Sequence, residues 1–394
     1  MKTNFKIFFF SFFLLLLWAC SNKKEANFIA YDLTNVTDSV ELNLSELLDD
    51  IRIVPLETDT SFLTETTFMT VNDKYIVMLG KKEIHEFDAV TGKHIRKLAI
   101  NGKGPNEYEN VSSAVVDNKK NILYFSQNFN KNIINIDLTT GNFLPKINSK
   151  KQRSSDLLAI MPDGNIATHD DSLMFSVIDI KNGQSIRMID SLITPKKTTS
   201  IKIPQTYGMQ ISGVGLVTNN EEMFLYSQKF NDTVYRYYSP SKIEKVFSVT
   251  YKDELVDSEG TSVFIPYICN KYILCTPYKW GFSITGEHTI MSLTNKGIYI
   301  INREDNLIKK VSKLFCNNNG LTITLPRYII SYGGTFISPT LFAQSINAYE
   351  LKEQIEELLE NKQLPDSDKK YLEDLNSKLT EGSNPVIIIG KRKK

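Results

Sequence analysis

Short runs in which apolar and polar residues alternate recur along this chain and predict β-strands. Three of these runs are followed by the turn pattern Asp-x-x-(Thr/Asn)-Gly and then by a further strand, at residues 88–92, 137–141 and 179–183. The three turns are 49 and 42 residues apart. Asp can hydrogen-bond the backbone of such a turn, and Gly supplies the positive φ that closes it. The pattern therefore indicates hairpins repeated on one plan.

A second repeat points to the same unit. Residues 124–130, Tyr-Phe-Ser-Gln-Asn-Phe-Asn, resemble residues 225–231, Leu-Tyr-Ser-Gln-Lys-Phe-Asn, and both lie between two predicted strands. Periods in the forties with about four short strands each are typical of propeller blades. We therefore predict an all-β fold, a six-bladed β-propeller. Its innermost strands are expected to begin near Thr67, Val111, Asp156, Ile211, Thr261 and Leu321.

The two ends of the chain are expected to meet in the last blade. That blade has a first strand at Leu321 and a second at 328–331, but no later strand until residues 385–389, and residues 51–56 can supply its outer strand. The intervening insertion, about 346–380, predicts a helical hairpin with apolar faces, its second helix capped by Asp366 or Ser367. The insertion either covers the edge of the ring, which we favour, or forms a lid or partner surface.

The first twenty residues resemble a bacterial lipoprotein leader. Lys2 and Lys6 precede an apolar run at 7–17, which is shorter than the roughly 20 residues that a membrane span needs. The run ends in Leu-Trp-Ala-Cys at 17–20, and its resemblance to a lipobox implies cleavage before Cys20 and lipid on that residue. An ordinary signal cleaved nearby, or a buried Cys, is the alternative. We expect a signal peptide at 1–19, a lipidated Cys20 and tether at 20–40, and the propeller at 41–394.

Composition narrows the class of protein. The chain is 41% hydrophobic and 23% charged, which is typical of a globular protein. Its 46 basic and 45 acidic residues give a net charge of +1, so it has no bulk basic surface for nucleic acid. Cleavage would remove Lys2 and Lys6 and leave 44 basic residues against 45 acidic ones. Lipid on Cys20, and no basic patch, is therefore expected to hold the chain to a membrane.

Three further cysteines, Cys269, Cys275 and Cys316, allow two interpretations. An exported chain would permit disulfides. A tight turn at residues 270–271, however, would pair Cys269 with Tyr272 and not with Cys275, and no zinc-ligand spacing is present. Buried free thiols are the preferred interpretation.

Three ordered motifs carry a family resemblance. They are Ile-Val-Pro-Leu-Glu-Thr at 53–58, Asn-Gly-Lys-Gly-Pro-Asn-Glu-Tyr at 101–108 and Asn-Pro-Val-Ile-Ile at 384–388. Together with the lipobox they resemble the six-bladed β-propeller lipoproteins of Bacteroidota, which are related to the NHL-repeat propellers. The resemblance implies a propeller in the cell envelope, lipid-anchored and in the outer membrane. It implies little about activity.

Blade geometry sorts the loops into two faces. Loops that join second to third strands share one face with the connections between blades, here named the connector face. This face is expected to carry the loop at 102–108, a long loop at 277–296 and the helical insertion. We expect any binding site there, and its candidate ligand residues are Glu107, Tyr108, Tyr278, Trp280 and Phe282. The aromatic residues could stack on a sugar ring or a peptide side chain, or pack under the helical insertion, which we favour. The loop at 102–108 is more simply a blade connector, although Glu107 could hold a cation or a ligand hydroxyl.

Catalytic motifs are absent from the sequence. It contains no His-Glu-x-x-His, no Gly-x-Ser-x-Gly and no phosphate-binding loop, and no cofactor is expected. His85 and His94 are expected to be half-exposed strand residues. The leading hypothesis is a non-catalytic lipoprotein that binds a glycan, peptide or protein on one face. A metal-dependent propeller hydrolase or lyase with axial Ca²⁺ or Zn²⁺ is the alternative, and a purely structural role is the third.

Overall fold

The computed structural model describes most of the chain from residue 28 onward. The described residues are 28–58, 63, 66–127, 132–148, 157–161, 163–169, 175–181, 183–187, 214–219, 222–227, 233–239, 242–252, 261–285, 288–318, 321–324, 335–338, 340–360 and 364–393. Within them, no helix is long and apolar enough to cross a membrane.

The described strands form six sheets. The N-terminal segment supplies β1 (Ile29–Asp32), β2 (Ser39–Asn43), a 3₁₀ turn (Leu44–Glu46) and β3 (Leu48–Pro55). The first blade contains β4 (Thr66–Val71), β5 (Tyr75–Gly80), β6 (Glu83–Asp88), β7 (His94–Asn101) and β8 (Glu107–Tyr108). The second contains β9 (Val111–Asp117), β10 (Ile122–Gln127), β11 (Asn132–Asp137) and β12 (Phe143–Asn148). The third contains β13 (Leu157–Ile160), β14 (Ile166–His169), β15 (Phe175–Ile178) and β16 (Ser185–Arg187).

The remaining three blades are longer or interrupted. The fourth contains β17 (Val214–Asn219), β18 (Glu222–Ser227), β19 (Thr233–Ser239) and β20 (Lys242–Thr250). The fifth contains β21 (Thr261–Ile268), β22 (Tyr272–Thr285), β23 (His288–Asn295), β24 (Ile298–Asn302), β25 (Ile308–Asn318) and β26 (Leu321–Thr324). The sixth contains β27 (Thr335–Ile337), β28 (Leu341–Ile346) and β29 (Val386–Arg392), with helices α1 (Ala348–Leu359) and α2 (Asp366–Ser377) between the last two strands.

Six clusters of buried side chains join each blade to the next and close the ring. Val77 of the first blade packs with Phe125 of the second, for example, and Phe224 of the fourth packs with Ile273 of the fifth. The cluster that contains Ile387 of the sixth blade also contains Phe87 of the first. Since every blade is a sheet that buries both faces against its neighbours, the predicted all-β propeller class is confirmed.

The two chain ends meet in the sixth blade as the sequence predicts. Strand β29 pairs antiparallel with β28 on one side and with β3 on the other, where Val386 lies opposite Pro55. The N-terminal strand thus becomes the outer strand of a blade whose other strands come from the C-terminal part of the chain. This shared sheet closes the ring without leaving an open edge between the termini.

The predicted start of the sixth blade is wrong. Leu321 belongs to β26, which folds back on β25 in the fifth sheet, and the innermost strand of the sixth blade is β27. Leu321 and Ile323 are buried against the helices of the insertion, so these two residues are apolar because they contact helices and not because they begin a blade. Residues 328–331, where the sequence predicts a second strand, lie outside the described residues, as do Asp156 and Ile211.

Much of the segment assigned to a tether is part of the propeller. β1 pairs in parallel with β20 on the outer edge of the fourth blade, and β2 pairs in parallel with β25 on that of the fifth. Tyr31 and Leu33 are buried against the fourth and fifth blades. The apolar positions of residues 29–40 therefore cover two sheet edges, and the tether limit at residue 40 is wrong.

The insertion is a pair of helices that packs on the fifth blade. The side chain of Asn347 caps α1 by accepting a hydrogen bond from the Tyr349 backbone N–H. Leu351 and Ile355 of α1 and Leu372 of α2 are buried in one cluster with Cys316 of β25, Leu321 and Ile323. The predicted cap of the second helix is wrong, because Pro365 occupies that position and no side chain caps it.

The repeated turns brace neighbouring blades. In the first turn, Asp88 Oδ1 accepts hydrogen bonds from the backbone N–H groups of Val90 and Thr91, and Gly92 has φ +72°. A Cβ on Gly92 would lie 1.9 Å from the carbonyl oxygen of Pro55, in the outer strand of the preceding blade. A Cβ on Gly183 would lie 2.0 Å from the carbonyl oxygen of Asn148 in the same way. Glycine is thus required both by the turn and by its contact with the next sheet.

Candidate functional site

A long β-hairpin rises from the fifth blade on the connector face. The long loop that the sequence predicts at residues 277–296 is instead most of two paired strands. β22 runs for 14 residues; its first part pairs with β21 and β24, and from Tyr278 to Thr285 it pairs with β23. Strands β23 and β24 are separated only at Lys296 and Gly297, where the Lys296 N–H donates to the carbonyl of Pro277. The hairpin is therefore a direct continuation of the blade.

The register of the hairpin separates apolar from polar positions. Tyr278, Trp280, Phe282 and Ile284 share one face with their partners Asn295, Leu293, Met291 and Thr289. The opposite face has Lys279, Gly281, Ser283 and Thr285 with Thr294, Ser292, Ile290 and His288. Six of the eight residues on the first face are apolar or aromatic. On the second face, Ile290 is the one residue with a large apolar side chain. We name the first set the aromatic face of the hairpin.

Tyr278 anchors the base of this face. Its side chain is buried, and its ring meets that of Phe264 edge-on with 5.0 Å between centroids. Burial raises the pKa of Tyr278 to about 12. Tyr278 therefore packs within the blade. The sequence favours packing under the helical insertion, but the described contact of Tyr278 is with Phe264 of β21. The side chains of Trp280 and Phe282 lie outside the described part of the structure, and the backbone register places both residues on the same face as Tyr278.

The structure corrects the assignment of Tyr108 as a ligand residue. Its side chain is fully buried, its hydroxyl donates to the carbonyl of Gly80 at 2.6 Å, and its ring packs edge-on against Phe125. Glu107 Oε2 accepts a hydrogen bond from the Gly104 backbone N–H at 2.7 Å. The loop at 102–108 is thus a blade connector that folds around the carboxylate of Glu107. This agrees with the interpretation of the loop as a connector and not as a ligand site. It lies in the first sheet and is separated from the hairpin by the sixth blade.

The helical insertion gives the connector face an acidic neighbour. Residues 347–383 carry ten acidic and five basic side chains, whereas the whole chain has a net charge of +1. Some of these charges pair along the helices, as Lys352 does with Glu356 at 3.1 Å and Lys378 with Asp374 at 2.6 Å. The insertion therefore presents a solvated, negatively charged surface beside the fifth blade.

Neither a metal cluster nor a disulfide occurs among the described residues. No three His, Cys, Asp or Glu side chains in those ranges come together as a group that could hold a metal ion. Cys269, Cys275 and Cys316 are buried free thiols, which is the preferred interpretation of the sequence. The backbone N–H of Cys269 donates to the carbonyl of Tyr272, so the turn pairs these two residues as predicted.

Sequence reasoning missed the second strand of the hairpin. Met291 and Leu293 lie opposite Phe282 and Trp280. Their signal was available in the alternation of residues 289–293, Thr-Ile-Met-Ser-Leu, which matches the spacing of the aromatic residues in β22. Reading the two alternations together would have identified a hairpin in place of a loop.

Comparison with solved structures finds chains that align with two thirds or more of this one. A Bacteroides fragilis protein, named as exported, aligns with a TM-score of 0.56 at 15% identity, over 93% of this chain and 100% of that one. A member of the DUF4221 family from Bacteroides vulgatus aligns with a TM-score of 0.46 at 12% identity, over 88% and 97%. The β-propeller domain of Cps50 (Swd1) from Myceliophteria thermophila gives 0.37 at 14% identity, over 67% and 95%. At 15% identity, the likeness to the Bacteroides fragilis protein concerns the fold alone.

Sequence comparison identifies a family. No curated protein matches the chain. The family model described as a domain of unknown function, DUF4934, matches residues 28–391, which is nearly all of the propeller together with strands β1 and β2. The chain belongs to the DUF4934 family.

Proposed function

We propose that this chain is a lipid-anchored envelope protein that binds a glycan, peptide or protein through the aromatic face of the fifth-blade hairpin. The observation that carries the proposal is the register of β22 and β23, which gathers Trp280, Phe282, Met291 and Leu293 on one side of a hairpin that extends beyond the blade. Aromatic rings of this kind stack on sugar rings and on apolar side chains. The polar opposite face is suited to solvent.

The start of the described chain supports an anchor at the rim of the ring. β1 is the outermost strand of the fourth sheet, and only eight residues separate Ile29 from Cys20. Eight extended residues reach roughly 28 Å. Lipid on Cys20 would therefore hold the outer edge of the fourth blade near a membrane and leave the connector face accessible.

The anchor is tested by metabolic labelling. Cells that produce the full chain are grown with radiolabelled palmitate, and the protein is compared with a Cys20→Ala variant. The wild-type chain is expected to incorporate label and to fractionate with membranes, and the variant to do neither. Undiminished label in the variant would contradict the anchor at Cys20.

The binding face is tested by the fluorescence of one residue. Trp18 and Trp280 are the two tryptophans of the chain, and cleavage before Cys20 leaves Trp280 alone. The mature chain is titrated separately with a panel of neutral oligosaccharides and with a panel of unstructured peptides. A saturable change in emission with one panel, lost in Phe282→Ser and kept in Ser283→Ala, is the expected result and identifies the ligand class.

A further inference from the structure

Two histidines of the first blade are in contact. His85 is buried, unlike the half-exposed strand residue expected from the sequence, whereas His94 is half-buried as expected. His85 on β6 is 5% exposed, and His94 lies on the neighbouring strand β7. Nδ1 of His85 is 3.1 Å from Nε2 of His94, and the other ring nitrogen of His85 is 2.9 Å from Glu83 Oε2. The sequence separation of nine residues hides this contact, which the hairpin between β6 and β7 creates.

The two rings can share only a limited number of protons. With both imidazoles neutral, His85 Nε2–H donates to Glu83 and His94 Nε2–H donates to His85 Nδ1. One added proton can be held, because a cationic His85 then donates both to Glu83 and to His94. A second added proton would place two N–H groups against each other at 3.1 Å, so the contact cannot survive it.

The charged groups around the pair act in both directions on this second proton: the carboxylates of Glu83 and Glu57 favour it, and Lys97 opposes it. Glu83 shares its carboxylate between His85 and Lys97, whose Nζ is 2.8 Å from Oε1. Glu57, from the segment after β3, accepts the backbone N–H of His94 through Oε2 at 2.7 Å. Burial, followed by the neighbouring His85, lowers the pKa of His94, and Glu57 opposes that shift. The doubly charged pair is therefore disfavoured in the folded state.

The pair lies where the ring closes. Glu57, which contacts His94, donates its own backbone N–H to the carbonyl of Gly92 and accepts the side-chain amide of Asn384 at its carbonyl. Asn384 in turn accepts the backbone N–H of Leu63, and its own N–H donates to Thr58 Oγ1. These bonds tie the N-terminal outer strand, the C-terminal strand and the first blade together.

We infer that His85 and His94 form an acid-sensitive latch on the closure of the propeller, which holds at neutral pH and is released when both rings become charged. A histidine with a lowered folded-state pKa takes up fewer protons than the unfolded chain near its ordinary pKa of about 6.5. The stability it contributes is present above that pH and is lost as the pH falls below it. The opening concerns the junction of the sixth and first blades rather than the whole ring.

Hydrogen–deuterium exchange tests the latch on the full mature chain. Protection factors, corrected for the intrinsic exchange rate at each pH, are measured at pH 7.5 and 5.0 for residues 48–58 and 384–392, with residues 233–239 of the fourth blade as reference. In the wild type we expect protection at the junction to fall by about tenfold for each unit by which the pKa of the second protonation is lowered. In His94→Gln, which can donate to His85 but cannot charge, the junction and the reference should change alike.

Two results would overturn the inference. One is an equal loss of junction protection in the wild type and in His94→Gln. The other is a gain in thermal stability of the wild type with added Zn²⁺ at pH 7.5 that His94→Gln lacks, because the pair would then be a metal site. Should the variant fail to fold, NMR titration of histidine-labelled wild type decides: two imidazoles titrating independently near the ordinary pKa contradict the latch, and steps separated by more than one pH unit support it.

Discussion

The backbone of Gly92 lies directly against the carbonyl oxygen of Pro55, so close that a methyl group at Gly92 would stand 1.9 Å from that oxygen. Gly92 belongs to the hairpin turn of the first blade, and Pro55 ends the outer strand of the sixth. This contact, repeated by Gly183 and Asn148 between the third and second blades, makes the turn glycine a joint between sheets.

Replacing this glycine should weaken the closure of the ring. We expect Gly92→Ala to lower the free energy of unfolding by about 2 kcal/mol or more, because an L-residue at φ +72° is strained and its methyl group meets the Pro55 carbonyl. Urea denaturation measures the change. Gly382→Ala is the matched control, since no atom lies within 4 Å of a Cβ there. Equal effects at the two positions would contradict the role given to Gly92.

A buried carboxylate between the first and second blades should make stability depend on pH. The Glu86 side chain is fully buried, with Oε2 2.7 Å from Nε of Arg96, and burial raises the pKa of Glu86 to about 7 despite that cation. The folded state then holds a proton that the unfolded chain loses near pH 4.5, so this group lowers stability as pH rises from about 4.5 to 7.

Replacing that carboxylate should remove this part of the pH dependence. We expect Glu86→Gln to flatten the fall in unfolding free energy between pH 4.5 and 7, measured by denaturant titration at several pH values. The exposed Glu109, which lies 3.9 Å from Lys103, provides the control Glu109→Gln, which should leave the slope unchanged. Parallel curves for the wild type and Glu86→Gln would show that Glu86 ionises normally.

The buried guanidinium of Arg392 should contribute more to the free energy of unfolding than the exposed ammonium of Lys391. Arg392 donates to the carbonyls of Ser338 and Ile268 at 2.7 and 3.0 Å, and it lies over the ring of Tyr267 at 4.5 Å. Lys cannot span both carbonyls, so we expect Arg392→Lys to cost about 2 to 4 kcal/mol in unfolding free energy. Lys391→Ala, which removes an exposed ion pair with Asp50, should change little. A loss at Lys391 as large as that at Arg392 would be inconsistent with this account.

The three buried thiols should react only after unfolding. Burial raises the pKa of the Cys275 thiol well above its usual range and that of Cys316 to about 11, so little thiolate forms at neutral pH. Titration of the mature protein with a thiol reagent should detect almost nothing in buffer and three thiols in denaturant. Detection of a single thiol in denaturant would instead indicate a disulfide between two of them.

Local features of the sequence predicted much of this fold. The turn at Asp88 and Gly92 follows from chemistry within five residues, and the amphipathic helix around Leu351 follows from its period. The alternation at Leu321 predicts a strand of the sixth blade, which is wrong because alternation shows that one face is buried but not which element covers it. Tyr108 could not be recognised as buried, since its partner, the Gly80 carbonyl, lies on another strand.

The candidate site was predictable in part. The aromatic residues Trp280 and Phe282 were identified by type, but the hairpin that places them on one face depends on pairing with Met291 and Leu293 across the turn. The pairing of His85 with His94 depends on strand register in the same way. In each case the residues were visible, and the contact came from tertiary pairing that composition does not specify.

Site-specific photo-crosslinking tests the central claim most directly. A benzophenone amino acid replaces Trp280 in one variant and Ser283 in another, and each full chain is irradiated in intact cells. The two positions lie on opposite faces of the same hairpin, so they share location and differ only in face. We predict a covalent adduct from position 280 and none from position 283. Equal adducts from both positions, or none from either, would contradict binding through the aromatic face.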